Sequence, residues 1–185
     1  MESSWNDLEV GLLYVELKKA VEEFCQTRGS DANRQKLLQV LQNNECREVI
    51  AKCVDGDIFS NAFVWAGYRN HVDILDAFLY HGMNVDIKNC DGWNALIWAS
   101  LNGLEESVRY LLAQNANVDI QDKYGRTALM YASRHGHKEI IQLLLDHNAD
   151  IGLKSNTHST AYDYTKREEI KEMIQNHVNT SYVLK

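Results

Sequence analysis

Apolar residues along the first 55 positions recur with the spacing of helices. Trp5, Leu8, Leu12, Val15, Val21 and Phe24 predict a helix from about Trp5 to Thr27, with that stripe turned toward a core. The break Gly29-Ser30-Asp31 ends it and offers a cap, and further helical patterns follow near 33–42 and 45–53. From residue 61 the pattern changes character. Short stretches with small residues, such as Ala62 and Ala66, precede longer ones with apolar positions at i, i+3 and i+4, such as Ile140, Ile141, Leu143 and Leu144. An Asn or Gly closes each stretch, so every unit predicts two antiparallel helices and a turn.

The units recur at a fixed distance. "NALIWASLNGLEESVRYLLAQNANVDI" (94–120) overlays "TALMYASRHGHKEIIQLLLDHNADIGL" (127–153) without a gap, a shift of 33 residues. "NAFVWAGYRNHVDILDAFLYHGMNVDI" (61–87) lies one step earlier, and "TAYDYTKREEIKEMIQNH" (160–177), three residues shorter in its middle, one step later. Ala62, Ala95, Ala128 and Ala161 fall in register, as do Leu79, Leu112 and Leu145. Such a period predicts an all-α solenoid whose units bury their apolar faces against one another. The organisation expected is a helical region over 1–55 and repeats over 56–185, with units at 56–88, 89–121 and 122–154 and a capping unit at 155–178.

With "DKYGRTALMYASRHGH" and "NCDGWNALIWASLNG" the chain resembles the ankyrin repeat, whose units run D-x-x-G-x-T-P-L-H-x-A-A-x-x-G-H. The resemblance covers residues 56 to about 177. Alanine replaces the family proline at 62, 95, 128 and 161, and Val64, Ile97, Met130 and Asp163 replace the family histidine. The first unit has Phe59 in place of the turn glycine, which leaves a hairpin before residue 61 open. For function, the resemblance implies a protein partner, held by hairpin tips and by the concave face of the inner helices.

Both ends of a solenoid need covering. The last unit is polar (Asp163, Lys166, Arg167, Glu168, Glu169) and reads as a solvated cap followed by a frayed tail, "VNTSYVLK". The first is apolar throughout (Ala62, Phe63, Val64, Trp65, Ala66), so residues 1–55 are expected to cover it as a helical cap, or alternatively to form a separate partner-binding module.

Composition narrows the function. At 45% hydrophobic and 24% charged the 185 residues are globular, and no proline is present, so Gly, Asn and Asp mark the turns. A net charge of −7 argues against a phosphate-driven nucleic-acid binder and favours a basic partner surface. An acidic N-terminus and the lack of a long apolar run predict neither signal peptide nor membrane span, hence a soluble, cytoplasmic monomer. Cys25, Cys46, Cys53 and Cys90 have no metal-ligand or disulfide spacing and read as reduced thiols, mostly in the core.

One stretch looks like chemistry. "GRTALMYASRHGH" (125–137) carries Ser133 four residues from His137 and a His-x-His pair that could share a metal. The repeat decides against both. His137 holds the interhelix turn position filled by His71 and Leu104, and Ser133 the slot of Gly67 and Ser100, where helices approach closely. With no phosphate loop or metal motif elsewhere, no enzyme, no metal and no cofactor are expected.

The candidate partner-binding residues follow from the resemblance. The tenth position of successive units holds Trp65, Trp98, Tyr131 and Tyr164, an aromatic ladder, with Tyr68, Arg69, Leu101, Asn102, Arg134 and His135 beside it. The hairpin tips add Trp93, Lys123, Tyr124 and Arg126, of which Trp93 and Tyr124 are expected to project from turns too thin to bury them. Aromatic and arginine side chains are the types that dominate interface energies. An adaptor or inhibitor of another protein is the function expected; the alternative is a bacterial effector or immunity-type protein, delivered into a host cytosol if an effector, whose N-terminal region engages the target while the repeats support it.

Overall fold

A computed structural model describes residues 7–52 and 57–183. Its helices are α1 (Asp7–Gln26), α2 (Asp31–Leu41), α3 (Cys46–Lys52), α4 (Asp57–Tyr68), α5 (Val72–Tyr80) and α6 (Ala95–Asn102), followed by α7 (Glu105–Ala113), α8 (Ala128–His135), α9 (Lys138–Asp146), α10 (Ala161–Tyr164) and α11 (Glu168–Val183). Neighbours pair as hairpins: α1 with α2, α4 with α5, α6 with α7, α8 with α9 and α10 with α11. Like helices then stack, α1, α4, α6, α8 and α10 as an inner layer and α2, α5, α7, α9 and α11 as an outer one. The predicted all-α solenoid is therefore present.

The outer helices α5, α7 and α9 are nine residues each and amphipathic, too short to hold outside the stack. In α9 the residues Ile140, Ile141, Leu144 and Leu145 form one buried stripe while Lys138 and Glu139 stay at the surface. The inner helices are held closer. At Gly67 of α4 a Cβ would lie 2.9 Å from that of Ala95 and 3.0 Å from its backbone oxygen, so nothing larger than glycine fits without moving α6. Ser100 and Ser133, the same slot in later units, are fully buried.

The N-terminal helices continue this stack. Leu17, Ala20, Val21 and Phe24 of α1 are buried in the same core as Phe63 and Ile74 of the first repeat. Two histidines of α5's ends fasten the hairpin: His71 Nε2 bonds the Gly29 carbonyl at 2.7 Å and His81 Nε2 the Leu41 carbonyl at 2.7 Å. The outward stripe of α1 differs from expectation. Leu12 and Val15 are 65% and 61% exposed, and Leu13 and Leu17, one and two positions further along the chain, turn inward instead. The helix has apolar residues on two adjacent stripes, and packing against α2, α3 and α4 buries the one containing Val21 and Phe24. Trp5, the Leu8 side chain and Cys53 lie outside the described residues; Cys46 is buried, Cys25 half-buried and Cys90 exposed.

The interhelix turns repeat through the first three units and change in the last, where α10 ends at Thr165 in an extended conformation. Gly103 and Gly136 close α6 and α8 in the left-handed conformation, at φ 75° and 83°, and Asn70 takes that conformation after α4 at φ 59°. At the tips, Asn89 Oδ1 accepts the Asp91 and Trp93 amides and Asp122 Oδ1 those of Tyr124 and Arg126, at 2.8–3.1 Å. Position 59 is another matter. There α4 is already helical and Phe59 is buried, so the hairpin left open before residue 61 is replaced by helix. The tail, expected to fray, continues α11 as far as Val183.

Candidate functional site

The inner helices carry the candidate residues on one face, because positions i, i+3 and i+4 share a side of a helix. Trp65 and Tyr68 of α4, with Arg69 in the turn that follows it, stand beside Trp98, Leu101 and Asn102 of α6 and then Tyr131, Arg134 and His135 of α8. The first rings touch: Trp65 lies 6.2 Å from Trp98 in a stacked pair, and Tyr68 meets both edge-on at 5.2 Å. All three are half-buried.

Trp93 departs from its expected exposure. Its ring sits 4.5 Å from Trp98 and 4.9 Å from Tyr131, half-buried between the aromatic of its own unit and that of the next. Arg126 occupies the equivalent position one unit on and does the same with a guanidinium, 5.8 Å from the centroid of Tyr131 and 5.7 Å from that of Tyr164. The tip therefore does offer a core, built from the ladder beneath it. Tyr131 is covered so completely that it is only 4% exposed. Its hydroxyl donates to Asp122 Oδ2 at 2.7 Å, and burial pushes the phenol up to about 12, so it remains a neutral donor.

Arg126 is held from three sides. Its Nε donates to the Tyr164 hydroxyl at 3.1 Å, and Tyr124 supplies a third ring at 5.1 Å. Tyr124 itself is 46% exposed, as expected for a tip residue, with Lys123 over its other neighbourhood at 5.4 Å. Lys123 is also paired with Asp91 across the two tips, at 2.6 Å. Arg69 donates to the Arg28 carbonyl at 2.7 Å and lies 5.6 Å from the Tyr68 centroid. Arg134, His135 and Asn102 are exposed, and Leu101 is half-buried. Partial desolvation, with His137 and Arg134 beside it, lowers the pKa of the His135 imidazole.

His137 and Ser133 of 125–137 take scaffold positions. His137 Nε2 bonds the Leu101 carbonyl at 3.1 Å, tying one interhelix turn to the next, as His71 does at Gly29. Ser133 Oγ is buried without a hydrogen-bond partner. An unpaired buried hydroxyl costs about 1–3 kcal/mol. Ser133→Ala is therefore expected to raise stability by roughly 1 kcal/mol in a urea titration; a loss of that size would mean the hydroxyl is engaged. Among the described residues, no three His, Cys, Asp or Glu side chains gather to hold a metal, and no helix is long and apolar enough to cross a membrane.

Sequence reasoning passed over Arg28, which stands in the α1–α2 turn at φ 50° and is exposed beside Arg69. Its turn lies outside the 33-residue register and so carried no signal. A family model of ankyrin repeats in three copies matches residues 17–122 and 63–155, beginning inside α1. No curated protein matches the chain.

Proposed function

The chain belongs to the ankyrin-repeat family, and from that premise we propose that it is an adaptor or inhibitor without chemistry of its own, binding another protein through its inner-helix face and hairpin tips. Ankyrin repeats are in general protein–protein interaction modules. The observation that carries the reading is the row of rings from Trp65 and Tyr68 through Trp98 and Trp93 to Tyr131, joined to Tyr164 by the guanidinium of Arg126. It gives a rigid surface whose side chains lose little freedom on binding, and preorganisation of that kind cuts the cost of association. Exposed Tyr124 and half-buried Leu101 supply apolar area beside it. The cytosol, the cell's own or a host's, is the compartment proposed.

The test is affinity capture with three proteins: wild type, Tyr124→Ala with Leu101→Ala, and the outer-helix pair Arg109→Ala with Gln142→Ala. The first pair should weaken binding of a captured protein at least tenfold, about 1.4 kcal/mol, and the outer pair should not. Equal retention by both pairs would remove the reading. A second reading, binding through the N-terminal region in the manner of an effector or immunity protein, is favoured by the exposed Leu12 and Val15 on α1. Loss of the captured protein with Leu12→Asp and Val15→Asp, and not with the groove pair, would establish it instead.

A further inference from the structure

A net charge of −7 calls for a basic partner only if that charge is spread evenly over the surface. The fold divides it. Acidic residues concentrate on the outer helices, with Asp73 and Asp76 on α5, Glu105 and Glu106 on α7, and Glu139 and Asp146 on α9. Of the inner layer, α6 and α8 contain none; its acids lie on α1 and at Asp57, toward the N-terminal end of the stack, and at Asp163 of α10, whose carboxylate is taken up by the Thr160 amide and hydroxyl.

Ion pairing follows the same division. On the outer side Arg34 binds Asp73, Arg109 lies against Glu105 and Lys138 against Glu169. On the groove side Arg69, Arg126 and Arg134 form no ion pair with any described carboxylate: Arg69 donates to a carbonyl, Arg126 to two phenols, and Arg134 is exposed. The carboxylate nearest the ladder, Asp122, is buried and engaged by Tyr131 and two amides of its own turn. Helix C-termini favour positive charge, which accounts for part of the placement of Arg134 in the last turn of α8. It does not account for Arg126, which precedes that helix.

A guanidinium clamped among tyrosine rings is a fixed, always charged fork that suits carboxylates. The rings around it suit apolar side chains. We propose that the groove takes an acidic peptide segment of a partner protein, with carboxylates on Arg126, Arg134 and Arg69 and interleaved aromatic or aliphatic side chains on Trp98 and Leu101. This rests on the groove being the binding surface. A polynucleotide needs a continuous basic stripe, and here Trp98, Leu101 and Asn102 interrupt the arginines while the outer faces repel a long polyanion. A basic segment would meet like charge along the groove.

The experiment measures fluorescence anisotropy of the full chain with three labelled probes: a peptide alternating Glu with Leu and Phe, its Lys counterpart, and an oligothymidylate of equal charge. The Glu peptide should bind at least tenfold tighter than either other probe, and weaken as salt is raised, since screening lengths shorten with ionic strength. Arg69→Glu with Arg134→Glu, both exposed, should weaken it at least tenfold while the chain stays folded at the assay temperature, the melting temperature falling only by the loss of the Arg69 bond to the Arg28 carbonyl. Arg126→Gln, which keeps a donor for the phenols, should weaken it several-fold. The proposal is overturned if the Lys peptide or the oligothymidylate binds as well, if no probe binds, or if the Arg69 and Arg134 pair leaves Glu-peptide binding unchanged. Trp98→Ala with Leu101→Ala separates the two levels. If the Lys peptide or the oligothymidylate binds as well and that pair weakens it, the groove reading stands and only the acidic class falls; indifference to every groove variant removes both.

Discussion

Phe24→Ala is expected to destabilise the whole solenoid by about 3–5 kcal/mol, the range for deleting a fully buried aromatic ring. Phe24 is completely buried on α1, its ring 6.0 Å from that of His71, and its carbonyl accepts the Gly29 amide that closes the α1 turn. The ring therefore lies where α1 meets the first repeat, and its loss leaves a cavity next to the His71 bond to Gly29. Because Leu17 and Val21 share a core with Phe63 and Ile74, the damage should not stay local. Urea unfolding, followed by tryptophan fluorescence in a Trp5→Phe background, reports only Trp65, Trp93 and Trp98 of the repeats. The midpoint at those tryptophans should fall with Phe24→Ala in a single transition. An early, separate loss of helix with the tryptophan transition unmoved would make residues 1–55 an independent module, and a change below about 1 kcal/mol, a typical point-substitution effect, would mean that α1 is not part of the core at all.

Trp93→Ala should also cost stability, roughly 2–3 kcal/mol, less than a fully buried aromatic because the ring is half-exposed. Two ring contacts disappear with it, at 4.5 and 4.9 Å, each of a kind that contributes about 0.5–1.5 kcal/mol beyond area burial. Tyr131, covered from that side by Trp93, would be opened to water. The next unit supplies the control. Arg126 fills the same slot and lies over two rings in the same way, so Trp93→Arg should recover a good part of the loss. Thermal melts of the three proteins decide it. A Trp93→Ala variant melting with wild type would return Trp93 to the free tip that its sequence position suggested, and Trp93→Arg melting below Trp93→Ala would end the equivalence of the two slots.

A good deal of this molecule was legible in one dimension. In a solenoid each unit packs on a copy of itself, so the period in space is written as a period in the chain, and a shift of 33 residues is enough to place the inner and outer helices, the left-handed turns at Gly103 and Gly136 and the scaffold role of His137. The same logic explains the failures. The N-caps of successive outer helices fall at Ser30, His71, Leu104 and His137, steps of 41, 33 and 33, so the first hairpin has no register with the others and could be read only as something covering Phe63. What joins it to the stack is complementary shape, which has no period. Which stripe of α1 turns inward, with Leu13 buried and Leu12 exposed, was likewise settled by the helices packed on α1 rather than by α1 itself.

The candidate site divides in the same way. That aromatic and arginine residues recur along one face followed from the 33-residue repeat read together with the resemblance to ankyrin units; that Trp93 lies on Trp98 and Tyr131, and that Lys123 is paired while Arg126 is not, was decided by side chains from different units. Net charge is a sum over the chain and contains no positions, so −7 pointed to a basic partner. Folding sorts that sum by helix face, sending the carboxylates of α5, α7 and α9 outward and leaving α6 and α8 without any, because a charge acts on a partner only through the surface it reaches, and that surface exists only once the helices are stacked.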